Sequence, residues 1–150
     1  MKQIPFTQEG YDDMKNDRLR LQEKRKETVI SLSRAREMGD LSENGLYKAA
    51  KMELGSIDRQ LRRIDNLLRY AHIVGHQTTG VIDICSNVVV FDGTKQRKFS
   101  MVGDFEADPS NGKISQRSPI GRAMLGRQMG EEIEIETPGG KIKYRILSIS

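Results

Sequence analysis

Tyr47, Ala50, Leu54, Ile57, Leu61, Ile64, Leu68 and Ala71 follow one another in alternating steps of three and four residues. An apolar seam sustained at that spacing is the pattern of a helix that packs along a second helix. The chain offers a partner for it. From Gln8 to Met38 there is no proline and one glycine, Gly10, and the apolar residues Tyr11, Met14, Leu21, Val29, Leu32 and Ala35 recur at helical but uneven spacing. Thr7 stands where an N-cap would stand, and Gly39 where a C-cap glycine would. The two stretches match in length and only a few residues join them, which predicts an antiparallel helical hairpin. Arms of about 30 residues rising about 1.5 Å each would be roughly 45 Å long. An amphipathic helix lying on a globular core is the alternative reading of the seam.

Gly75 is expected to end the second helix, and the pattern then changes. Val81-Ile82-Asp83-Ile84, Val88-Val89-Val90-Phe91 and Lys98-Phe99-Ser100-Met101-Val102 are β-rich runs. Ser118-Pro119 opens a short helix with a capping serine and a proline in its first position, running to about Leu125. Glu131 to Glu136 and Lys141 to Ile149 alternate apolar and polar residues, with a turn at Thr137-Pro138-Gly139-Gly140. The expected organisation is α+β: residues 1–74 a long antiparallel coiled-coil hairpin, residues 75–150 a small antiparallel sheet domain with one short helix.

Composition agrees. Of 150 residues, 31% are charged, 5% are aromatic and none is tryptophan, which suits long solvated helices better than one large aromatic core. Cys85 is the single cysteine, so no internal disulfide forms and a reducing, cytoplasmic setting is expected. The first residues carry no apolar run of the signal-peptide kind. No stretch approaches the roughly 20 apolar residues of a membrane helix, so no membrane partner is expected.

The net charge is +4. Lys15, Arg18, Arg20, Lys24, Arg25 and Lys26 on the first arm, and Arg59, Arg62, Arg63 and Arg69 on the second, would lie at about the same level of an antiparallel hairpin. Two readings stand: a basic patch that favours phosphate backbones and weakens with salt, or a solvated face whose long side chains cover the seam.

The break between the arms reads Gly39-Asp40-Leu41-Ser42-Glu43-Asn44. Asp40 and Glu43 are three residues apart, which also carries two readings. In one, Asp40 or Ser42 caps the second helix and Glu43 folds back on the backbone as a capping box. In the other, the two carboxylates supply oxygens to a magnesium ion held mainly by a larger partner, since Mg²⁺ commonly takes only one or two carboxylates from one element. The readings are compatible. His72 and His76 are spaced as a metal pair, but Gly75 interrupts them and no third ligand is evident. Asp104, Glu106 and Asp108 lack the spacing of a calcium loop and are expected in a solvated turn. Cys85, among apolar residues, is expected to be inert.

Several motifs resemble the Gre family of bacterial transcript cleavage factors. In the first half they are Ile4-Pro5-Phe6-Thr7-x-x-Gly10, Ala35-Arg36-Glu37-x-Gly39-Asp40-Leu41-x-Glu43-Asn44 and Tyr47-x-Ala49-Ala50. In the second they are Val102-Gly103-Asp104-x-Glu106-Ala107-Asp108, Ile114-Ser115-x-x-Ser118-Pro119-Ile120 and Thr137-Pro138-Gly139-Gly140. The resemblance implies a coiled coil followed by an FKBP-like domain that binds bacterial RNA polymerase. The coiled coil would enter the secondary channel and stimulate cleavage of the 3′ end of backtracked nascent RNA. It also implies that Asp40 and Glu43 support the second Mg²⁺ of the polymerase site, an ion not bound by the isolated chain. Arg36, Gly39, Asn44 and Tyr47 would shape the tip, and Lys15, Arg18, Arg25, Arg59, Arg62 and Arg63 would form the basic patch. The chain would be no enzyme alone and monomeric when free. The GreA type is favoured by the second-half motifs, while the arginines between Ile57 and Arg63 lean toward the GreB type. Leu46 stands where GreA-type members often carry a further acid, and Lys51 replaces a common arginine. An inhibitor that fills the channel without stimulating cleavage is the competing reading. Peptidyl-prolyl isomerase activity is a third, suggested by fold analogy alone.

Overall fold

The computed structural model describes residues 2–39, 44–76 and 79–150. The chain is α+β and forms two compact units, Tyr11–Tyr70 and Lys2–Gly10 with Ala71–Ser150. This division differs from the expected 1–74 and 75–150, because two short strands flank the hairpin in sequence. Strand β1 (Ile4–Phe6) pairs in parallel with β2 (Ala71–Ile73), Ile4 opposite Ala71 and Phe6 opposite Ile73. The Val74 N–H extends this ladder to the Phe6 carbonyl at 2.8 Å. Phe6 is almost fully buried and its ring stacks on Phe105, with centroids 6.4 Å apart. A three-residue strand is too short to show the alternation that betrays strands in sequence.

The hairpin consists of α1 (Gln8–Arg36) and α2 (Gly45–Tyr70). The Thr7 hydroxyl accepts from the Gly10 N–H at 3.1 Å, so Thr7 is the N-cap that the sequence predicts. Helix α2 ends at Tyr70, before the expected Gly75, because Ala71 to Ile73 are taken into β2. The seven seam positions from Tyr47 to Leu68 in α2 are buried or half-buried, with Ile57 1% exposed, and Ala71 in β2 is half-buried.

The uneven spacing on α1 has a physical explanation. Its seam runs through Tyr11, Met14, Arg18, Leu21, Arg25, Thr28, Leu32 and Ala35, again in steps of three and four. Three of these positions are polar. Arg18 Nε lies 2.7 Å from Asp65 and Arg25 Nε 2.7 Å from Asp58. Partners are seven residues apart on both arms, so the two pairs repeat the heptad and mark the arms as antiparallel. Thr28, 4% exposed, satisfies its hydroxyl on the Lys24 carbonyl at 2.9 Å. Polar groups at seam positions cost stability and fix register, since a slip would separate each charge from its partner.

The second unit carries a five-stranded sheet in the order β5-β4-β3-β7-β6. Its strands are β3 (Asn87–Phe91), β4 (Gln96–Val102), β5 (Lys113–Ser115), β6 (Glu132–Thr137) and β7 (Gly140–Ile149). The expected antiparallel sheet is mixed: β5 runs parallel to β4. The crossover uses two 3₁₀ turns, Asp104–Glu106 and Pro109–Asn111, which carry the chain back to the edge of β4. The expected strand Val81 to Ile84 is not one; Val81 makes a single bridge to Gln128 and the chain turns at Ile84 and Cys85. Ile82 and Ile84 are nonetheless buried. Their apolar alternation records burial, which strand pairing is not needed to produce.

One face of the sheet forms the core. Val88, Val90, Phe99, Met101, Ile114, Ile133, Ile135, Tyr144 and Ile146 point into it, and Met124 of α3 (Pro119–Met124) closes it. Phe99 meets Tyr144 edge to face, centroids 5.9 Å apart. On the outer face Glu132, Glu134 and Glu136 of β6 oppose Arg145, Lys143 and Lys141 of β7 in register. That charged row keeps the β6 edge polar. The Ser118 side chain accepts from the Gly121 N–H at 3.0 Å and Pro119 is the first helical residue, as the sequence predicts.

Candidate functional site at the hairpin tip

Helix α1 ends at Arg36, and Met38 N–H bonds back to the Ala35 carbonyl at 3.1 Å. Gly39 follows at φ 113°, a left-handed conformation that favours glycine. Asp40, Leu41, Ser42 and Glu43 lie outside the described residues, so the expectation for the two acids is neither placed nor displaced by the geometry. The residues on either side are described.

Asn44 joins the arms. Its Oδ1 accepts from the Tyr47 N–H at 3.0 Å, and its Nδ2 donates to the Ala35 carbonyl at 2.5 Å. The first bond makes Asn44 the N-cap of α2. The second adds a donor to the Ala35 carbonyl in the last turn of α1, which also accepts from Met38 N–H. The expected cap, Asp40 or Ser42, is therefore corrected to Asn44. Glu43 precedes the cap and cannot be the third helical residue that a capping box requires. The signal was present in the sequence, since asparagine just before a helical pattern is a strong N-cap; the Asp-x-x-Glu spacing drew attention from it.

Arg36 and Tyr47 also meet across the tip. The guanidinium carbon is 5.8 Å from the ring centroid, within cation–π range. Leu46, 63% exposed, lies in the first turn of α2, which carries no acidic residue.

The basic residues are distributed differently from one continuous patch. Arg18 and Arg25 are held by Asp65 and Asp58 across the seam, and Lys24 lies 3.4 Å from Glu53. Lys15, Arg20 and Lys26 pair along their own helix with Asp12, Asp17 and Glu23. Arg59, Arg62 and Arg63 are exposed on α2. Counting cations along the arms did not reveal which of them face an acid on the other. The hydrogen bond from Arg25 holds the Asp58 carboxyl below the usual carboxylate range.

In the second unit, Asp104, Glu106 and Asp108 are not a merely solvated turn. Asp104 pairs with Arg117 at 2.9 Å, and Asp108 accepts from Ser110 and Asn111, which holds its carboxyl low. Glu106 reaches Thr7, a contact that sequence reading missed because it spans 99 positions. Cys85 donates its thiol to the Val74 carbonyl at 3.0 Å, and burial pushes its pKa up. Among the described residues no three His, Cys, Asp or Glu side chains gather as a metal site, and no helix is long and apolar enough to cross a membrane.

A helical hairpin whose connecting residues include Asp40 and Glu43, with a mixed sheet and one short helix, defines a two-unit α+β protein. The sequence matches the family model of the transcription elongation factor N-terminal domain over residues 4–73 and that of the GreA/GreB C-terminal domain over residues 77–150. The chain belongs to the GreA/GreB family of transcription elongation factors. It is 38% identical to transcription elongation factor GreA of Bacillus cytotoxicus, covering 99% of this chain and 97% of that protein. It is 39% identical to GreA of a Bacillus cereus strain with the same coverage, and 36% identical to GreA of Macrococcus caseolyticus over 99% and 98%. Full-length similarity at this level places it with the GreA type. Among solved structures, the GreA factor homolog 1 protein of Thermus thermophilus is 27% identical over 99% of both chains, with a TM-score of 0.48. A GreA/GreB elongation factor from Nitrosomonas europaea is 24% identical over 69% of this chain and 92% of that one, with a TM-score of 0.44.

Proposed function

We propose that this chain binds bacterial RNA polymerase in the cytoplasm, inserts its hairpin into the secondary channel, and stimulates cleavage of the nascent RNA 3′ end in backtracked complexes. The chain acts as a monomer and does not cleave RNA alone. The observation that best supports this reading is the cap at Asn44. It gives the N-cap of α2 to Asn44, so that position is not taken by Asp40 or Glu43. Family membership supports the same reading.

Asp40 and Glu43 form a hard-oxygen donor set, the chemistry magnesium takes, and two carboxylates on a short connection suffice only where the partner supplies the remaining ligands. Magnesium lowers the pKa of a bound water and makes it a competent nucleophile. The two carboxylates would hold the ion together with the partner's own ligands, and would accept hydrogen bonds from water beside it. Asn44 holds both ends of the connection, and Arg36 over Tyr47 links the arms just below it. Arg59, Arg62 and Arg63 remain available to phosphates of the RNA or to acidic groups of the channel.

The test is cleavage of RNA in stalled, backtracked polymerase complexes with purified protein. The native chain should accelerate release of the 3′ fragment and do nothing to free RNA. Asp40→Ala with Glu43→Ala should abolish the acceleration while competing normally for polymerase. Full activity of that double variant sinks the assignment. Inhibition by the native chain without cleavage supports the blocking alternative.

A further inference from the structure

Thr7 caps α1, yet the third helical residue is Gly10, so the glutamate that usually completes a capping box is missing from the local sequence. Glu106 occupies that role from 99 positions away. Its Oε2 accepts from the Thr7 N–H at 2.9 Å and from the Gly103 N–H at 3.0 Å. Its Oε1 accepts from the Thr7 hydroxyl, which in turn accepts from Gly10. One carboxylate thus takes three donors and orders both the strand β1 exit and the first turn of α1. Gly10 is what admits it: a Cβ there would lie 1.8 Å from Glu106 Oε1.

We propose that Glu106 is a positioning residue: within its own unit it completes the N-terminal cap of α1 and so orders the first turn of the helix whose far end leads to the tip. The proposal rests on the tip function above. Loss of the latch frees the first turn of α1, while every group expected to contact polymerase is retained. Small misplacements of a reacting group are expensive in rate.

Three variants separate the possibilities. Glu106→Ala removes the acceptor. Gly10→Ala expels the carboxylate by contact, yet alanine is the better helix former and the displaced atoms are the end of a flexible side chain, so the fold is retained. Glu106→Gln keeps one acceptor oxygen for the two backbone N–H groups and offers an NH₂ to the Thr7 oxygen. The first readout is amide hydrogen exchange in the isolated full chain. The amides of residues 7 and 10 should exchange at least about tenfold faster in both alanine variants, and near the native rate in Glu106→Gln. The second is the cleavage rate at saturating protein, which should fall by about tenfold in both alanine variants with the half-saturating concentration moving less than about twofold. Unchanged exchange overturns the latch. Faster exchange with an undiminished maximal rate overturns the positioning role. A native chain that stimulates no cleavage overturns the tip function itself, and the positioning role with it, while the exchange result still decides the latch.

Discussion

Asn44 donates to the carbonyl of Ala35 and accepts from the amide of Tyr47, so one side chain closes α1 and opens α2. The second bond satisfies an amide that a helix start leaves open, and the first adds to the Met38 N–H already on the Ala35 carbonyl. Asn44 thereby ties the end of α1 to the start of α2.

Asn44→Ala should therefore destabilise the hairpin by about 1 kcal/mol, in the range of a lost N-cap. Thermal unfolding would give the loss, and faster amide exchange at Tyr47 would locate it. Asn44→Asp should keep the cap and lose the bond to Ala35, giving a smaller loss.

Ile57 is the most buried residue of the α2 seam. Ile57→Ala should cost about 2–5 kcal/mol, as buried aliphatic truncations do. Denaturant unfolding followed by circular dichroism would read it. A cost below about 1 kcal/mol would mean that the seam is not the core of the hairpin.

Leu46 is exposed at the positive end of the α2 macrodipole, where no acid lies in the first turn. Leu46→Glu should stabilise by about 0.5 kcal/mol at low salt, and the gain should fade as salt rises. A loss of stability would show that Leu46 packs against something in the free chain.

Asp58, Asp92 and Asp108 have folded-state pKa values below the ordinary 3.8, Asp58 chiefly through Arg25, Asp92 through the Lys95 and Thr94 amides, and Asp108 through Asn111 and Ser110. The unfolded chain then binds protons more readily, so stability rises with pH. The contribution is complete above the ordinary value and lost as pH falls through the lower folded values. The unfolding midpoint should be insensitive to these groups near neutrality and drop in acid below about pH 4. A decline already between pH 7 and 5 would point to other groups.

Cys85 behaves in the opposite sense. Burial, followed by the nearby Glu106 and Asp83 charges, raises its pKa above 9.0. Its contribution is present below the ordinary value and lost as pH rises through the folded one. At pH 8 its alkylation should be slower than that of a free thiol, because the thiolate is the reactive form. Mass spectrometry of iodoacetamide adducts over time would measure the difference.

Much of this was legible in the order of residues. The α2 seam, the Thr7 cap, the Ser118-Pro119 helix start and the β6–β7 turn rest on neighbours a few positions apart, and local steric and hydrogen-bonding rules act over that range. The α1 seam was half legible, since Arg18 and Arg25 hide a heptad until Asp65 and Asp58 are seen opposite them. Strands β1, β2 and β5 were not legible, because three residues carry no period.

By itself the sequence determined the helical arms, the acidic turn between them, the alternating strands and the family. Tertiary structure alone decided that the arginines of α1 answer acids on α2, and that Glu106 completes the start of α1. Each of these is a pairing of charge or hydrogen-bonding groups at long separation, and such a pairing is fixed by where folding brings the chain, which no local rule encodes.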